Sequence, residues 1–335
     1  MPTRASKAAL CSVLVLCAAG CARRADEAGP FRDVTAESGL DFVHFNGMTG
    51  ELYFSEIVGS GAALLDYDED GDLDVFLVQG ALQGRGKTIA DALFPPRHDP
   101  PFADRLYRND QGAGLPVRLV DVTGSLPLRH DGYGMGVAAG DVDNDGDLDL
   151  YLTSLGANHL WVNRGDGSFE DDPEAGVDDP RWSTSASFAD FDRDGLLDLF
   201  VVNYVDYRPD LGKECHAPDG SPDYCGPLAY APETARLLHN LGRVRFSDET
   251  LDARIHTASG NGLGIVTADF DADGWTDVYV ANDLMANFLW LNRGDGTFVD
   301  EGLGAARPSP STGRPRPAWA CWPRTSMPTA TSICS

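Results

Sequence analysis

Four short apolar runs recur along the chain, and each directly follows a strongly acidic stretch. The runs are VFLV, LYLT, LFVV and VYVA, which start at residues 75, 150, 199 and 278. Runs of this length that are rich in β-branched and aromatic residues and flanked by turn-forming residues predict buried β-strands. The 37 Gly and 21 Pro residues also favour many turns over long helices. The sequence therefore predicts an all-β protein.

The acidic stretches are four copies of one nine-residue pattern, D-x-D-x-D-G-x-x-D. They are DYDEDGDLD at 66–74 (loop 1), DVDNDGDLD at 141–149 (loop 2), DFDRDGLLD at 190–198 (loop 3) and DFDADGWTD at 269–277 (loop 4). Internal repetition on this scale indicates stacked supersecondary units.

Each unit is predicted to contain four antiparallel strands. In the last unit we expect a strand at 262–268, the run VYVA, a strand FLWL, the turn NRGDG and a strand TFV. Gly294 and Gly296 supply the positive φ angles of a tight hairpin. Weaker copies of the hairpin half occur at 106–123 and 237–250. Four strands per unit predict a β-propeller, with about four to five blades present.

The loops begin at residues 66, 141, 190 and 269, so their spacing is irregular. We attribute this to two insertions, residues 81–104 and 205–235, which are expected to be long surface loops. Residues 22–304 are therefore interpreted as one propeller domain.

The acidic loops predict calcium sites, about one Ca²⁺ per loop. Side chains at positions 1, 3, 5 and 9 can converge on one cation, and the position 7 backbone carbonyl can add an oxygen; several carboxylates suit a hard cation such as Ca²⁺. An EF-hand is excluded because its position 12 Glu is replaced by Leu77, Leu152, Val201 and Val280. The predicted ligands are Asp66, Asp68, Asp70, Asp72 and Asp74; Asp141, Asp143, Asp145, Asp147 and Asp149; Asp190, Asp192, Asp194, Leu196 and Asp198; and Asp269, Asp271, Asp273, Trp275 and Asp277.

The loops and their following strands resemble FG-GAP/VCBS repeats of the integrin-α type propeller. Further matches narrow the resemblance to the cartilage acidic protein-like group, whose members often end in an ASPIC/UnbV domain. These matches are FRDVTAESGL (31–40), YCGP (224–227), GLG (262–264) and DFDADGWTDVYVAND (269–283). The resemblance covers about residues 31–304, and it implies a seven-bladed calcium-binding propeller with the loop aspartates as ligands.

The formal charge of −26 disfavours nucleic acid and anionic lipid surfaces as partners, because both would be repelled. Residues 1–21 resemble a lipoprotein signal: Arg4 and Lys7 precede an apolar run that ends at Ala18-Ala19-Gly20-Cys21. We expect lipidation at Cys21 as the membrane anchor and an outer-membrane or cell-surface location. Periplasmic or secreted export is the alternative.

In an oxidising compartment, Cys215 and Cys225 are expected to form a local disulfide. A Cys/His metal site that includes His216 is the rival interpretation, with a poor ligand set.

Residues 305–335 contain no Asp or Glu and do not continue the repeat. If the tail is back-translated and read after two nucleotides are dropped, the genetic code permits the sequence MGVLAADVDADGDLDL. This sequence closely resembles residues 135–150. We therefore expect the tail to be an out-of-frame, disordered segment that truncates the propeller.

The expected function is that of an exported calcium-binding module that binds or adheres to a protein or glycan ligand. A propeller enzyme acting on carbohydrate and a purely structural surface protein are the alternatives. The sequence contains no G-x-S-x-G, H-E-x-x-H or P-loop motif, so catalysis is not favoured.

Overall fold

The computed structural model describes residues 31–96, 103–112, 116–126, 128 and 132–302. The expected signal with Cys21 and the expected tail at 305–335 lie outside these residues. Among the described residues there is one short α-helix, α1 (Thr35–Ser38). Short 3-10 helices occur at Phe54–Ile57, Ile89–Asp91, Thr123–Ser125, Pro209–Leu211, Pro227–Ala229 and Ile255–Thr257.

The strands form four antiparallel sheets of four strands each. The first sheet contains β1 (Ala62–Leu65), β2 (Asp74–Leu77), β3 (Arg105–Asn109) and β4 (Leu119–Asp121). The second contains β5 (Tyr133–Gly140), β6 (Asp149–Leu155), β7 (His159–Asn163) and β8 (Phe169–Asp171).

The third sheet is interrupted by the second insertion. It contains β9 (Ser183–Ala189), β10 (Asp198–Asn203), β13 (Arg236–Asn240) and β14 (Phe246–Asp248), while β11 (Cys215–His216) pairs with β12 (Pro222–Asp223) inside the insertion. The fourth sheet contains β15 (Gly262–Ala268), β16 (Asp277–Asn282), β17 (Phe288–Asn292) and β18 (Phe298–Asp300). The predicted all-β fold with four-stranded antiparallel blades is confirmed.

The first strands of successive sheets lie against one another, so that β1, β5, β9 and β15 form the inner edge of the assembly. Gly136 in β5 shows how close this approach is. A Cβ on Gly136 would lie 2.5 Å from the Thr184 carbonyl oxygen, at the start of β9. Gly is therefore required where the second and third sheets meet.

Each pair of neighbouring sheets encloses an apolar core. Leu150 and Leu152 of β6 face the first sheet, whereas Tyr151 between them faces the third. Both faces of β6 are buried, and this explains its continuous apolar run, since alternation is expected only where one face meets water. Phe200 and Val202 of β10 continue the pattern toward the fourth sheet.

The second insertion folds over the end of the sheets that lies opposite the acidic loops. A disulfide joins Cys215 and Cys225, with an S–S distance of 2.02 Å. The ring of Phe54 stacks on that of Tyr230 with centroids 5.8 Å apart, and it contacts the edge of Trp182 at 5.4 Å. The insertion is thus packed against the body of the protein through aromatic rings. Among the described residues, none of the helices has the length and apolar character needed to cross a bilayer.

Candidate metal centre

The acidic loops connect the first and second strands of each sheet, and all four have the same backbone form. Position 4 has a positive φ of 56–66° in each loop, and the position 6 glycine has a φ of 90–106°. L-residues with a side chain rarely adopt the position 6 value, so Gly is needed there. The position 4 residues are Glu69, Asn144, Arg193 and Ala272.

Backbone N–H groups fix the carboxylates at positions 1 and 5. In loop 1, the Asp66 carboxylate accepts hydrogen bonds from the backbone nitrogens of Asp70 and Gly71, at 3.1 and 3.0 Å. The Asp70 carboxylate accepts one from the Asp72 nitrogen at 2.9 Å. In the other loops the equivalent donors at position 7 are Asp147, Leu196 and Trp275. The backbone of the loop therefore holds these carboxylates in place through its own N–H groups.

Three carboxylates lie close together in every loop, with oxygens within 4.8 Å of one another. In loops 1, 3 and 4 they belong to positions 1, 3 and 5; in loop 2 they belong to positions 1, 3 and 9, without Asp145. The groups are Asp66, Asp68 and Asp70; Asp141, Asp143 and Asp149; Asp190, Asp192 and Asp194; and Asp269, Asp271 and Asp273.

Two of the position 3 carboxylates carry an oxygen that fits a bound cation. Asp68 Oδ1 and Asp143 Oδ1 are buried and have no hydrogen-bond partner among the described residues. Burial, and then the neighbouring aspartates, raise the pKa of both side chains. Buried carboxylate oxygens without partners are costly. A divalent cation would satisfy them and favour the charged form. The residues present therefore fit a Ca²⁺ ion held by oxygen atoms alone.

The aspartate at position 9 has a structural role in every sheet. Asp149 is fully buried, and its two carboxylate oxygens accept bonds from the backbone nitrogens of Val142 and Asn163, both at 2.8 Å. It therefore joins loop 2 to the end of β7. Burial raises its pKa to about 7. Asp74, Asp198 and Asp277 make the equivalent pairs of bonds.

A buried asparagine ends each third strand, and in the second, third and fourth sheets it links successive loops. Asn163 Nδ2 donates to the carbonyl of Tyr67 in loop 1 at 2.9 Å, and Asn240 Nδ2 donates to that of Val142 in loop 2 at 2.8 Å. Asn292 repeats this bond to Phe191 of loop 3 at 2.8 Å. These asparagines were not identified from the sequence. The signal was present, since Asn ends the third strand in YRN, WVN, LHN and WLN.

The position 4 side chains add further links between loops. Asn144 Nδ2 donates to the Gly195 carbonyl of loop 3 at 2.9 Å. Arg193 donates to the Gly274 carbonyl of loop 4, and its guanidinium lies 4.0 Å from the ring centroid of Trp275. Four loops at one end of the sheets thus form a connected row.

In loop 3 a histidine ring lies beside the carboxylates, which was not predicted from the sequence. His239 Nδ1 lies 3.0 Å from Asp198 Oδ1 and 3.5 Å from Asp192 Oδ2. Burial opposes a charged ring, but the two carboxylates outweigh it and raise the pKa of His239. The equivalent positions in the other sheets are Arg108, Val162 and Leu291. The repeat pattern therefore gives no reason to expect a histidine at this position.

Four-stranded antiparallel sheets in series, each with an acidic loop between its first two strands, define a propeller-type repeat protein. A family model described as FG-GAP-like repeat matches residues 66–152, 141–201 and 269–320. The chain belongs to this family.

Cartilage acidic protein 1 of Xenopus tropicalis is 24% identical over 257 residues, which cover 72% of this chain. The chain spans 34% of the length of that relative.

Among solved structures, an Agrocybe aegerita lectin that recognises non-reducing terminal N-acetylglucosamine is 17% identical. It has a TM-score of 0.35 and coverage of 71% of this chain and 50% of the lectin. The pore of the Photorhabdus luminescens Tc holotoxin is 18% identical, with a TM-score of 0.32 and coverage of 73% of this chain and 9% of the toxin chain.

Proposed function

We propose that the protein is an exported binding module for a protein or glycan ligand and that Ca²⁺ in the four acidic loops stabilises its sheets. The observation that carries this proposal is the convergence of three carboxylates in each loop, within 4.8 Å, at one end of the sheets. A site repeated in this way suits a structural ion, because every sheet has a cluster of three carboxylates in the equivalent loop.

The charge balance supports cation binding. The chain carries a formal charge of −26, and each loop holds several carboxylates within one turn. Such carboxylates repel one another unless a cation or a proton neutralises them. Extracellular calcium modules bind with a Kd of about 10⁻⁴ to 10⁻³ M, and we expect this range here.

The proposed location outside the cytoplasm is supported by the Cys215–Cys225 disulfide, since structural disulfides persist in oxidising compartments. An exported protein also meets Ca²⁺ at millimolar concentration, which sites with a Kd of about 10⁻⁴ to 10⁻³ M require. Anchoring through Cys21 remains part of the proposal.

The calcium role is tested by thermal unfolding of the full chain in EDTA, in 10 mM Ca²⁺ and in 10 mM Mg²⁺. Only the folded state presents converging carboxylates, so Ca²⁺ should raise the Tm by mass action. At about 10 times the Kd, each site contributes about 1.4 kcal/mol. Mg²⁺ should give a smaller shift because it prefers a stricter octahedral geometry.

Asp271→Ala should remove the contribution of loop 4 and reduce the calcium-dependent rise in Tm. Asp295→Ala is the matched control, since it removes the same charge from the hairpin turn of the same sheet, outside the loop. An unchanged Tm at millimolar Ca²⁺, or equal effects of the two substitutions on the calcium-dependent shift, would contradict the calcium role.

A further inference from the structure

A groove lies between the second and third sheets, at the end opposite the acidic loops. Its volume is about 520 Å³. Its walls are residues that follow β6 and β10 and residues that precede β9 and β13, and Gln83 of the first insertion lies at its border. Both insertions therefore contribute to it. Concave sites of this size, apolar with a few fixed polar groups, are typical of small-ligand pockets.

One wall of the groove is a rigid guanidinium. Arg181 donates through Nε and Nη2 to the two carboxylate oxygens of Asp179, at 2.8 and 2.6 Å, and Asp179 is 1% exposed. Its Nη1 donates to the carbonyl and hydroxyl oxygens of Thr234, both at 3.1 Å. These bonds use four of the five guanidinium N–H donors. The fifth N–H is not used by these bonds. Because the Arg181 side chain is already held in place, this N–H can donate to a ligand without the entropy cost of ordering the side chain.

The rim of the groove alternates between basic and acidic groups. Glu233 Oε2 lies 3.7 Å from Arg181 Nη1, and Arg208 Nε donates to Asp206 at 3.1 Å. Asp206 and Arg208 are largely exposed, with 46% and 64% of their side chains accessible. Donors and acceptors therefore stand side by side around one opening.

The floor of the groove is apolar and fixed. The rings of Trp182 and Tyr207 pack with centroids 5.0 Å apart, and the Tyr207 hydroxyl accepts a bond from the Phe54 backbone nitrogen at 3.0 Å. Trp182 is buried and Tyr207 half-buried. The disulfide-closed insertion holds this floor in place through Tyr230, whose ring lies 5.4 Å from that of Tyr207.

We propose that this groove is the ligand site of the module and that it binds a neutral oligosaccharide. The inference rests on the proposed binding function and assigns it a place and a ligand class. An anionic ligand is disfavoured by the charge of −26. A cationic ligand is disfavoured because two of the lining carboxylates, those of Asp206 and Glu233, already face Arg208 and Arg181, which leaves Asp210 as the further carboxylate of the rim.

A sugar fits the arrangement because each hydroxyl can donate and accept a hydrogen bond at once. Vicinal hydroxyls can bridge a carboxylate and a neighbouring guanidinium without leaving either unpaired. The apolar face of a pyranose ring suits the half-buried ring of Tyr207, which packs on the buried Trp182 and combines apolar contact area with a polar edge.

The test is binding of the full chain to an array of immobilised neutral oligosaccharides in 10 mM Ca²⁺, with heparin fragments and oligolysine as anionic and cationic controls. The neutral sugar with the highest signal is then titrated calorimetrically against variants. Glu233→Gln and the double variant Asp206→Ala/Arg208→Ala should each weaken binding at least tenfold.

Arg164→Ala/Glu170→Ala is the matched control, because it removes another exposed ion pair, on the β7–β8 hairpin at the acidic-loop end. Its affinity should stay within twofold of the unmodified protein, and all variants should keep the calcium-dependent Tm.

Two results would overturn the inference. Binding of a neutral sugar that both groove variants retain would place the site elsewhere while leaving the proposed function intact. Failure of the folded, calcium-loaded chain to bind any neutral sugar, or binding of heparin or oligolysine alone, would reject the ligand class. Loss of the calcium effect would instead count against the proposed function.

Discussion

The two ends of the four sheets differ in how they are built. At one end the connection between the first and second strands is the same nine-residue loop each time. At the other end the connections between the second and third strands vary, from residues 156–158 in the second sheet to residues 204–235 in the third. The constant end carries the carboxylate clusters, and the variable end carries the groove. The proposed calcium sites thus lie at the repeated end and the proposed ligand site at the variable end, as is usual for binding loops on a fixed scaffold.

At the constant end, folding and ion binding can be separated within one loop. Asp149→Ala leaves the backbone nitrogens of Val142 and Asn163 buried without acceptors. Two lost bonds to a carboxylate cost about 3 kcal/mol or more. The free energy of unfolding, measured with urea in EDTA, should fall by this amount.

Asp143→Ala is the control, because Asp143 belongs to the same cluster and its Oδ1 has no hydrogen-bond partner among the described residues. It should lower stability in Ca²⁺ but hardly in EDTA. Equal losses for both variants in EDTA would show that position 9 has no separate structural role.

At the variable end, replacing both Cys215 and Cys225 with Ala should destabilise the insertion. Closing a loop with a sequence separation of 10 residues contributes about 2.7 kcal/mol in the chain-entropy model. We expect faster proteolysis within residues 205–235 and an unchanged calcium-dependent shift in Tm. A reduced calcium shift would mean that the two ends are not independent.

The links between loops give a smaller effect with an internal control. Asn240→Ala removes bonds to the carbonyls of Val142 and Leu197 and one from the Gly242 nitrogen, which together are worth about 2 kcal/mol. Asn109→Ala should cost less, because Asn109 has one such bond, to Leu73, and its Oδ1 has no partner among the described residues. Urea unfolding of both variants measures the difference, and equal losses would contradict an inter-sheet role.

The constant end could be predicted from the sequence because its determinants are local. Asp66, Gly71 and the apolar run after Asp74 lie within a dozen residues, so spacing alone indicates a carboxylate cluster followed by a strand. The four strands of each sheet are also neighbours in the chain, apart from the insertions.

At the variable end the Cys215–Cys225 disulfide was expected because its cysteines are close in sequence, but the packing of the insertion could not be predicted, because those contacts join distant residues. Phe54 meets Tyr207 across 153 positions, and Tyr224 meets Glu56 across 168. Contacts between residues so far apart leave no periodic pattern in the sequence. The Asn163 contact with Tyr67 was missed for the same reason, although its own position is repeated in every sheet.

The smallest effect concerns Glu56, which holds the insertion at the variable end. It is 3% exposed, and its carboxylate accepts bonds from the Thr49 nitrogen at 3.2 Å and the Tyr224 hydroxyl at 3.1 Å. Burial raises the pKa of Glu56 above its ordinary value. The unfolded chain therefore releases this proton at a lower pH than the folded protein, so the contribution of Glu56 is present in acid and is lost as the pH rises through the folded pKa. Glu56→Gln cannot titrate and should not show this loss. Urea unfolding of both proteins in EDTA should give a stability difference that shifts in favour of the variant between pH 4 and pH 7. A difference that is constant with pH, or that shifts toward the unmodified protein, would show that the Glu56 carboxylate is not disfavoured by burial.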